Sequence, residues 1–206
     1  MAEKELSTLQ VILITAENEF LEKGFRGASL RNIVKEAGVT TGAFYGYFKS
    51  KEQLFDALVE EQYSTLMAEY CRVQNEFFEL PADKLREDMG KYSGDCMEWM
   101  LDYAFEHKNA FKLILTKSEG TKYAHIIDEM ARIEAESTHK YIKLLQSLGY
   151  AAKETDEALE HMLITGMFNA FFEMIIHDMP LGRAKECLKG LRQFYTAGWS
   201  RLMGLD

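Results

Sequence analysis

The chain has 206 residues, of which 47% are hydrophobic and 28% are charged, a composition that excludes wholesale disorder. Only two prolines occur, which disfavours a turn-rich all-β fold and favours long helices. The formal net charge of −9 argues against nucleic-acid binding only while its distribution is ignored. Residues 23–51 hold six basic side chains and one acidic side chain, so a short basic segment precedes an acidic body.

Apolar residues at three- and four-residue intervals predict a first helix that ends near Gly24. Ser29 is placed to cap a second, short helix, and Gly38 suits the left-handed position after it. Thr40 is placed to cap a third short helix. Residues 30–47 therefore have the length and the turn chemistry of a helix-turn-helix, whose second helix enters the major groove of DNA.

The remainder of the chain is predicted to be helical throughout, which makes the fold all-α. Ser50 and Gln53 have the spacing of a capping box and open a long fourth helix, which Pro81 ends. The helical pattern then continues over about residues 82–106, 109–116, 122–148, 154–177 and 183–203.

The sequence contains no pattern that indicates catalysis or metal binding. The three cysteines are widely spaced and form no Cys-x-x-Cys pair, so we expect reduced thiols in a cytoplasmic protein. Phosphate-binding glycine loops, nucleophile motifs and metal-binding histidine spacings are all missing, so we expect neither an enzyme nor a cofactor. Two long uncharged apolar runs, residues 6–16 and 162–172, are shorter than the about 20 apolar residues that span a bilayer.

The segment from Ile12 to Phe55 resembles the N-terminal domain of the TetR family of bacterial transcriptional regulators. The matching residues are Ala16, Phe20, Lys23-Gly24-Phe25, Ala28-Ser29-Leu30, Ile33-Val34, Ala37-Gly38-Val39-Thr40, Gly42, Tyr45, Tyr47-Phe48 and Lys51-Glu52-Gln53-Leu54-Phe55. The resemblance implies a three-helix DNA-binding domain over residues 1–50. A long helix would join it to a helical effector-binding and dimerisation domain over residues 51–206.

The resemblance also implies contacts with double-stranded DNA. The implied DNA-binding residues are Arg31, Thr40, Thr41, Gly42, Ala43, Tyr45, Tyr47 and Lys51. Tyr45 lies off the apolar stripe of Phe44 and Phe48, so we expect its hydroxyl to reach a phosphate. Thr40 serves equally well as a helix cap, and Gly46 departs from the family, in which many members carry a large side chain there.

The acidic body is implied to hold the effector. The candidate ligand-binding residues are Trp99, Tyr103, Phe111, Tyr123, His125, Met130, Phe168 and Phe172. Taken singly, each of these aromatic and Met residues fits a core role better, and His125 fits a surface or hydrogen-bonded core position better. The last two helices carry an apolar stripe, which the resemblance assigns to a homodimer through a four-helix bundle over residues 154–203. Burial within one chain explains part of the stripe equally well.

The function that the resemblance implies is a repressor that a small apolar or amphipathic molecule releases from a palindromic operator. Two alternatives stay open at this point. One is an all-α enzyme or small-molecule-binding protein in which the helix-turn-helix is incidental. The other is a regulator that responds to a protein partner and has no small-molecule pocket.

Overall fold

The computed structural model describes the backbone of residues 6–80 and 82–205, with side chains for residues 6–80 and 92–205. This part of the chain contains α-helices and no β-strand, which confirms the predicted all-α fold. The helices are α1 (Thr8–Gly27), α2 (Leu30–Glu36), α3 (Thr41–Tyr47), α4 (Lys51–Phe78), α5 (Ala82–Glu106), α6 (Lys108–Lys112), α7 (Ile126–Ser147), α8 (Glu157–Ile176) and α9 (Leu181–Met203). A π-helical turn, Leu113–Lys117, follows α6 directly.

Helix α1 begins with a capping box that the sequence analysis did not identify. The side chain of Ser7 accepts the backbone N–H of Gln10, and the side chain of Gln10 accepts the N–H of Ser7. Gly24 interrupts the helical geometry with a φ of 70°, and one further turn carries the chain to Gly27. Glycine tolerates this left-handed conformation, which explains the predicted helix stop at Gly24.

Both predicted caps of the helix-turn-helix are confirmed. The Ser29 hydroxyl accepts the N–H of Asn32 at the start of α2, and the Thr40 hydroxyl accepts the N–H of Ala43 at the start of α3. Between the two helices, Gly38 adopts a left-handed φ of 64°. Local sequence chemistry therefore determines the turn that orients α3.

At the start of α4, half of the predicted capping box forms. The Ser50 hydroxyl accepts the N–H of Gln53 at 3.2 Å. The Gln53 side chain instead accepts the N–H of Lys49, at 2.8 Å. The Gln53 side chain thus bonds the residue before the expected one. The two hydrogen bonds still satisfy two backbone N–H groups at the start of α4.

Helix α7 begins at Ile126 rather than near residue 122. Thr121 causes this difference, because its hydroxyl donates to the carbonyl of Ser118 at 2.7 Å and accepts the N–H of Tyr123 at 3.2 Å. A threonine that bonds its own neighbouring backbone competes with helix formation. Residues 118–124 therefore form a turn.

The chain divides into two compact units. The first consists of the residues up to Ser64 together with His107–Ala124, and the second consists of Thr65–Glu106 and His125–Asp206. Helix α4 contributes its first part to one unit and its second part to the other. The predicted boundary at residue 50 separates DNA binding from effector binding and dimerisation. This boundary stays a prediction.

In the first unit, aromatic rings fill the core between α1 and the start of α4. The Phe55 ring meets Phe20 edge-on at 5.1 Å and Phe25 at 5.4 Å between ring centroids. Phe20 and Phe55 are fully buried. Helix α6 and the π-helical turn also pack against α1. Phe25 precedes the helix-turn-helix and Phe55 follows it, so their contact brings the two ends of this segment together.

In the second unit, α7 packs against α8, and α9 packs against both α8 and α5. One buried cluster joins the end of α4 to α7 and α9, and its members are Phe77, Tyr141, Ile142, Leu145, Ala152 and Met203. By length and hydropathy alone, α8 is also apolar enough to cross a membrane. Core helices meet the same criterion, and α8 buries Phe168, Phe171 and Phe172 inside its unit.

Candidate nucleic-acid interface and cavity

Helix α3 anchors itself through one side chain and exposes most of the others. Phe44 is fully buried, whereas Thr41 and Ala43 are exposed. A Cβ added at Gly42 would meet no atom within 4 Å, so the backbone at this position is open to a partner. The first turn of α3 is therefore available for contact with DNA bases or phosphates.

Two tyrosines of α3 are also exposed. Tyr45 is 46% exposed and packs edge-on against Phe44 at 5.4 Å, while Tyr47 is 49% exposed. The predicted distinction between Tyr45 and the stripe of Phe44 and Phe48 agrees with the burial, because both phenylalanines are buried. Phenol groups held in this way present hydroxyls that donate to phosphate oxygens.

Lys51 has structural contacts of its own. Its ammonium donates to the carbonyl of Ala28 at 3.1 Å and lies 3.4 Å from that of Arg26. It also lies over the Phe25 ring, 4.7 Å from the centroid. The predicted phosphate contact would use the same ammonium group, which these contacts hold between α1 and α4.

Glu19 is a positioning residue that the sequence analysis missed. It is 6% exposed, and it accepts hydrogen bonds from the ammonium of Lys23, the N–H of Ser29 and the amide of Asn32. Burial alone would raise the pKa of Glu19, but these hydrogen bonds outweigh burial and lower the pKa. The carboxylate ties α1 to the first turn of α2. Its position between Ala16 and Phe20 on the apolar face of α1 was the available signal.

Arg31 lies in the first turn of α2, with an exposed side chain. Lys35 and Lys49 are exposed as well. Lys35 lies 3.4 Å from Glu36, and Lys49 donates to the carbonyl of Tyr45 at 2.7 Å. Arg31, Lys35 and Lys49 of the basic segment are thus accessible to a partner.

The eight candidate ligand-binding residues lie in different places. Phe111 and Tyr123 are buried in the first unit, and Met130, Phe168 and Phe172 are buried in the second. Trp99 and Tyr103 are half-buried in α5, where their rings stack at 5.0 Å. His125 is exposed and lies 3.2 Å from Asp128. The structure does not bring these eight side chains together.

A cavity of about 150 Å³ lies within the second unit. Of the eight candidates, Phe168 alone belongs to its lining. The lining comes from α4, α5, α7, α8 and α9, and its members are Tyr70, Val73, Gln74, Phe77, Phe78, Tyr92, Ser93, Cys96, Met97, Met100, Glu134, Ser137, Thr138, Tyr141, Met167, Phe168, Leu191, Arg192, Tyr195, Thr196, Trp199 and Met203. The lining of this cavity is rich in Met and aromatic residues, most of which differ from the eight candidates.

One acidic group faces this cavity. The Glu134 carboxylate accepts hydrogen bonds from the Tyr70 hydroxyl at 2.5 Å and from the Gln74 amide at 2.6 Å. Burial raises the pKa of Glu134, although the two hydrogen bonds act in the opposite direction. Sequence analysis missed Glu134, but its spacing from Met130 and Tyr141 places it on the buried face of α7.

The basic group of the lining, Arg192, is engaged by an acidic residue. Its guanidinium lies 2.6 Å from the Glu98 carboxylate. Gly94 makes room for this arrangement, because a Cβ at that position would lie 1.5 Å from a guanidinium nitrogen. In the described part of the chain, no group of three or more His, Cys, Asp and Glu side chains is arranged to hold a metal ion.

Comparison with known proteins agrees with this arrangement. Residues 12–58 match the family model described as bacterial regulatory proteins, tetR family. The HTH-type transcriptional regulator YdgC of Bacillus subtilis is 27% identical over 176 residues, which are 85% of each chain. The HTH-type transcriptional repressor NemR of Escherichia coli K12 is 40% identical over 60 residues, which are 29% of this chain and 30% of NemR.

A solved structure supports the fold of the whole chain. The transcriptional regulator of the TerR/AcrR family from Aquifex aeolicus VF5 has a TM-score of 0.55, at 23% identity, over 91% of this chain and 99% of that chain. The helix-turn-helix and the helical body thus occur together in that fold. The N-terminal segment, residues 12–58, is thus similar to the tetR family of bacterial regulatory proteins, which supports a DNA-binding regulator of transcription.

Proposed function

We propose that the protein is a repressor that binds a palindromic operator as a homodimer and leaves it when a small molecule occupies the second unit. The observation that carries this proposal is the exposed surface of α3, where a buried Phe44 holds Thr41, Tyr45 and Tyr47 toward solvent. The protein would act in the cytoplasm, where the DNA is. The repressor NemR is similar over the same N-terminal segment, which favours repression over activation.

The proposed DNA contacts fall into two classes. Tyr45, Tyr47, Lys51 and Arg31 would bind phosphate oxygens, because their hydroxyl and cationic groups need no particular base. The first turn of α3, from the Thr40 cap through Ala43, would approach base edges, with the Ala43 methyl against a thymine methyl. Phosphate contacts give affinity and register, while the first turn gives sequence preference.

The proposed dimer forms through α8 and α9. Both helices expose apolar side chains that a soluble monomer would leave in water, above all Met162 at 62% and Phe194 at 72% exposure. Leu159 and Leu202 add to this surface, at 37% and 38%. Packing against the same surface of a second copy buries all four side chains in a four-helix bundle. Two copies of α3 then address half-sites about 34–36 Å apart.

The proposed effector site is the cavity of the second unit. Its aromatic and Met lining binds apolar groups with modest demands on geometry. The effector shifts the protein toward a conformation with low operator affinity, by no more than its differential affinity for the two conformations. We infer no catalytic step, since the cavity holds no nucleophile paired with a base among the described residues.

The test is the selection of bound duplexes from a random DNA pool with the full-length protein. We expect one enriched sequence with two-fold symmetry, whose binding weakens with salt because Lys and Arg release counterions from the phosphates. Enrichment of an asymmetric site would remove the palindromic operator from the proposal. No enrichment above the starting pool would overturn sequence-specific DNA binding.

A further inference from the structure

The cavity lining includes a half-buried acidic group, Glu134, that has no basic partner among the described side chains. Glu134 accepts hydrogen bonds from Tyr70 and Gln74, and both reach the same oxygen, Oε2. Among the side chains that the structure describes, no Lys, Arg or His pairs with Glu134. A ligand that fills the cavity removes water from this carboxylate, which is costly without a counter-charge, and a ligand that brings a positive charge offsets that cost.

Aromatic side chains line the same cavity as this carboxylate. The lining includes Tyr70 and Phe77 from α4, Tyr92 from α5, Tyr141 from α7, and Tyr195 and Trp199 from α9. The faces of such rings are electron-rich and attract cations, and an aromatic box is the usual receptor for a quaternary ammonium group. The carboxylate and the aromatic rings therefore both favour a positively charged ligand.

The basic residue of the lining does not reverse this preference. Arg192 lies 2.6 Å from Glu98, so its charge is compensated within the pair. An anionic ligand at Arg192 would compete with Glu98 for its positive charge and would still meet the carboxylate of Glu134 in the same cavity. A neutral ligand would leave the charge of Glu134 without compensation.

We propose that the cavity binds a cation, an ammonium group on a compact apolar body, with Glu134 as its counter-charge. This inference rests on the proposed function, in which the cavity is the effector site. The cavity has the volume of an internal site that holds benzene, which matches a trimethylammonium group better than a long acyl chain. Larger effectors would carry this group as the end that enters the cavity.

The experiment compares two probes of nearly equal shape on the DNA-free protein. Choline carries a trimethylammonium group, and 3,3-dimethylbutan-1-ol carries an uncharged carbon in place of the nitrogen. The fluorescence of Trp199 reports binding, with Trp99 replaced by Phe so that one tryptophan remains. We expect choline to bind at least about tenfold more tightly than the alcohol. Equal affinities for the two probes would overturn the proposal. This comparison needs no mutation of the cavity.

A pair of variants identifies the counter-charge. Glu134→Gln should reduce choline binding about tenfold or more and leave binding of the alcohol unchanged. Glu136→Gln, on the same helix but 56% exposed and paired with Arg132, makes the same charge change outside the cavity and should preserve the preference for choline. Retention of the preference in folded Glu134→Gln would overturn the role of Glu134.

A third probe and a separate measurement complete the test. Tighter binding of 4,4-dimethylpentanoate, the carboxylate of similar shape, would assign the cavity to anions and overturn the proposal. Neither titration requires DNA. A selected operator together with absent choline binding would refute the cation site alone, whereas choline binding together with an unenriched DNA pool would refute the proposed function alone.

Discussion

The hydroxyl of Tyr123 donates a hydrogen bond to the carboxylate of Glu60 at 2.5 Å. The same hydroxyl lies 2.7 Å from Asp56, so one proton serves two acidic side chains on α4. The Tyr123 ring is fully buried and packs against Phe55 and Tyr63. This tyrosine fastens the turn at residues 118–124 to the first part of α4, and we assign it a structural role.

Removing the Tyr123 hydroxyl should destabilise the protein. Tyr123→Phe leaves Asp56 and Glu60 without their shared donor, at a cost of about 1–3 kcal/mol in the free energy of unfolding. Urea denaturation of the full chain measures this change. Tyr47→Phe is the control, since Tyr47 is 49% exposed, and it should leave the unfolding midpoint in place. Equal stability of both variants would contradict the structural role of Tyr123.

Because of Glu60, the free energy of unfolding should decrease at low pH. Hydrogen bonds from Lys122, Tyr123 and Ser64 lower the pKa of Glu60 from 4.5 to about 2. Because the folded pKa lies below the unfolded one, the stabilisation from Glu60 is complete above about pH 4.5 and is lost as the pH falls toward 2. Glu60→Gln should therefore be less stable at pH 7 and lose less stability between pH 4.5 and 2. A parallel pH profile for both proteins would exclude this role.

The phosphate contacts should be separable from base reading. We expect Tyr45→Phe and Lys51→Ala to weaken binding about equally on operator and unrelated DNA, and the Lys51 change to reduce the salt slope by about one. Thr41→Val should instead change the preferred bases in a repeated selection. Because Lys51 also holds the carbonyl of Ala28, an unfolding curve must accompany its binding data. Unchanged binding of both phosphate variants would remove them from the interface.

A charge on the exposed face of α9 should dissociate the dimer. Phe194 is 72% exposed, and Phe194→Glu would bury a carboxylate at the proposed interface. We expect sedimentation at micromolar concentration to give a mass near 23.7 kDa for this variant and about twice that for the wild type. Leu148→Glu is the control, because Leu148 is also exposed but lies outside α8 and α9, at the end of α7. A monomeric wild-type protein would contradict the dimer.

Filling the cavity should separate effector response from DNA binding. Ser137 lines the cavity from α7, and Ser137→Phe would occupy the space at a cost of about 1–3 kcal/mol in stability. Operator binding should persist while release by the effector is lost. Replacing Cys71 and Cys187, which lie outside the cavity lining, by Ser should preserve the response. A response that survives Ser137→Phe but is lost when the cysteines are replaced would indicate a thiol sensor.

Local chemistry made the helix-turn-helix predictable. Ser29 and Thr40 bond a backbone N–H three residues ahead, and Gly38 supplies a positive φ between them, so each signal acts within its own segment. The buried stripe of Phe44 and Phe48 follows from helical periodicity, which also identified Tyr45 as exposed. These relationships require no knowledge of how distant segments pack.

Contacts between distant segments were beyond the same reasoning. Tyr123 was a candidate for the effector site because it is a buried aromatic with a polar end, yet it lies with Asp56 and Glu60 in the other unit. Periodicity shows which face of a helix is buried, but not where two buried faces leave a gap. The cavity between Tyr70, Glu134 and Trp199 is such a gap, and it depends on packing between α4, α7 and α9.

The two glycines of α3 make its DNA-facing surface easy to alter. A Cβ added at Gly42 or Gly46 would meet no atom within 4 Å, and neither glycine has the positive φ that would strain a larger residue. A side chain at Gly46 would therefore enter open solvent and gain up to about 1 kcal/mol of helix propensity. The surface proposed to read DNA thus accepts substitutions at these two positions with little cost to the stability of the fold. Operator preference can diverge here between lineages, or be redesigned, while the core stays constant.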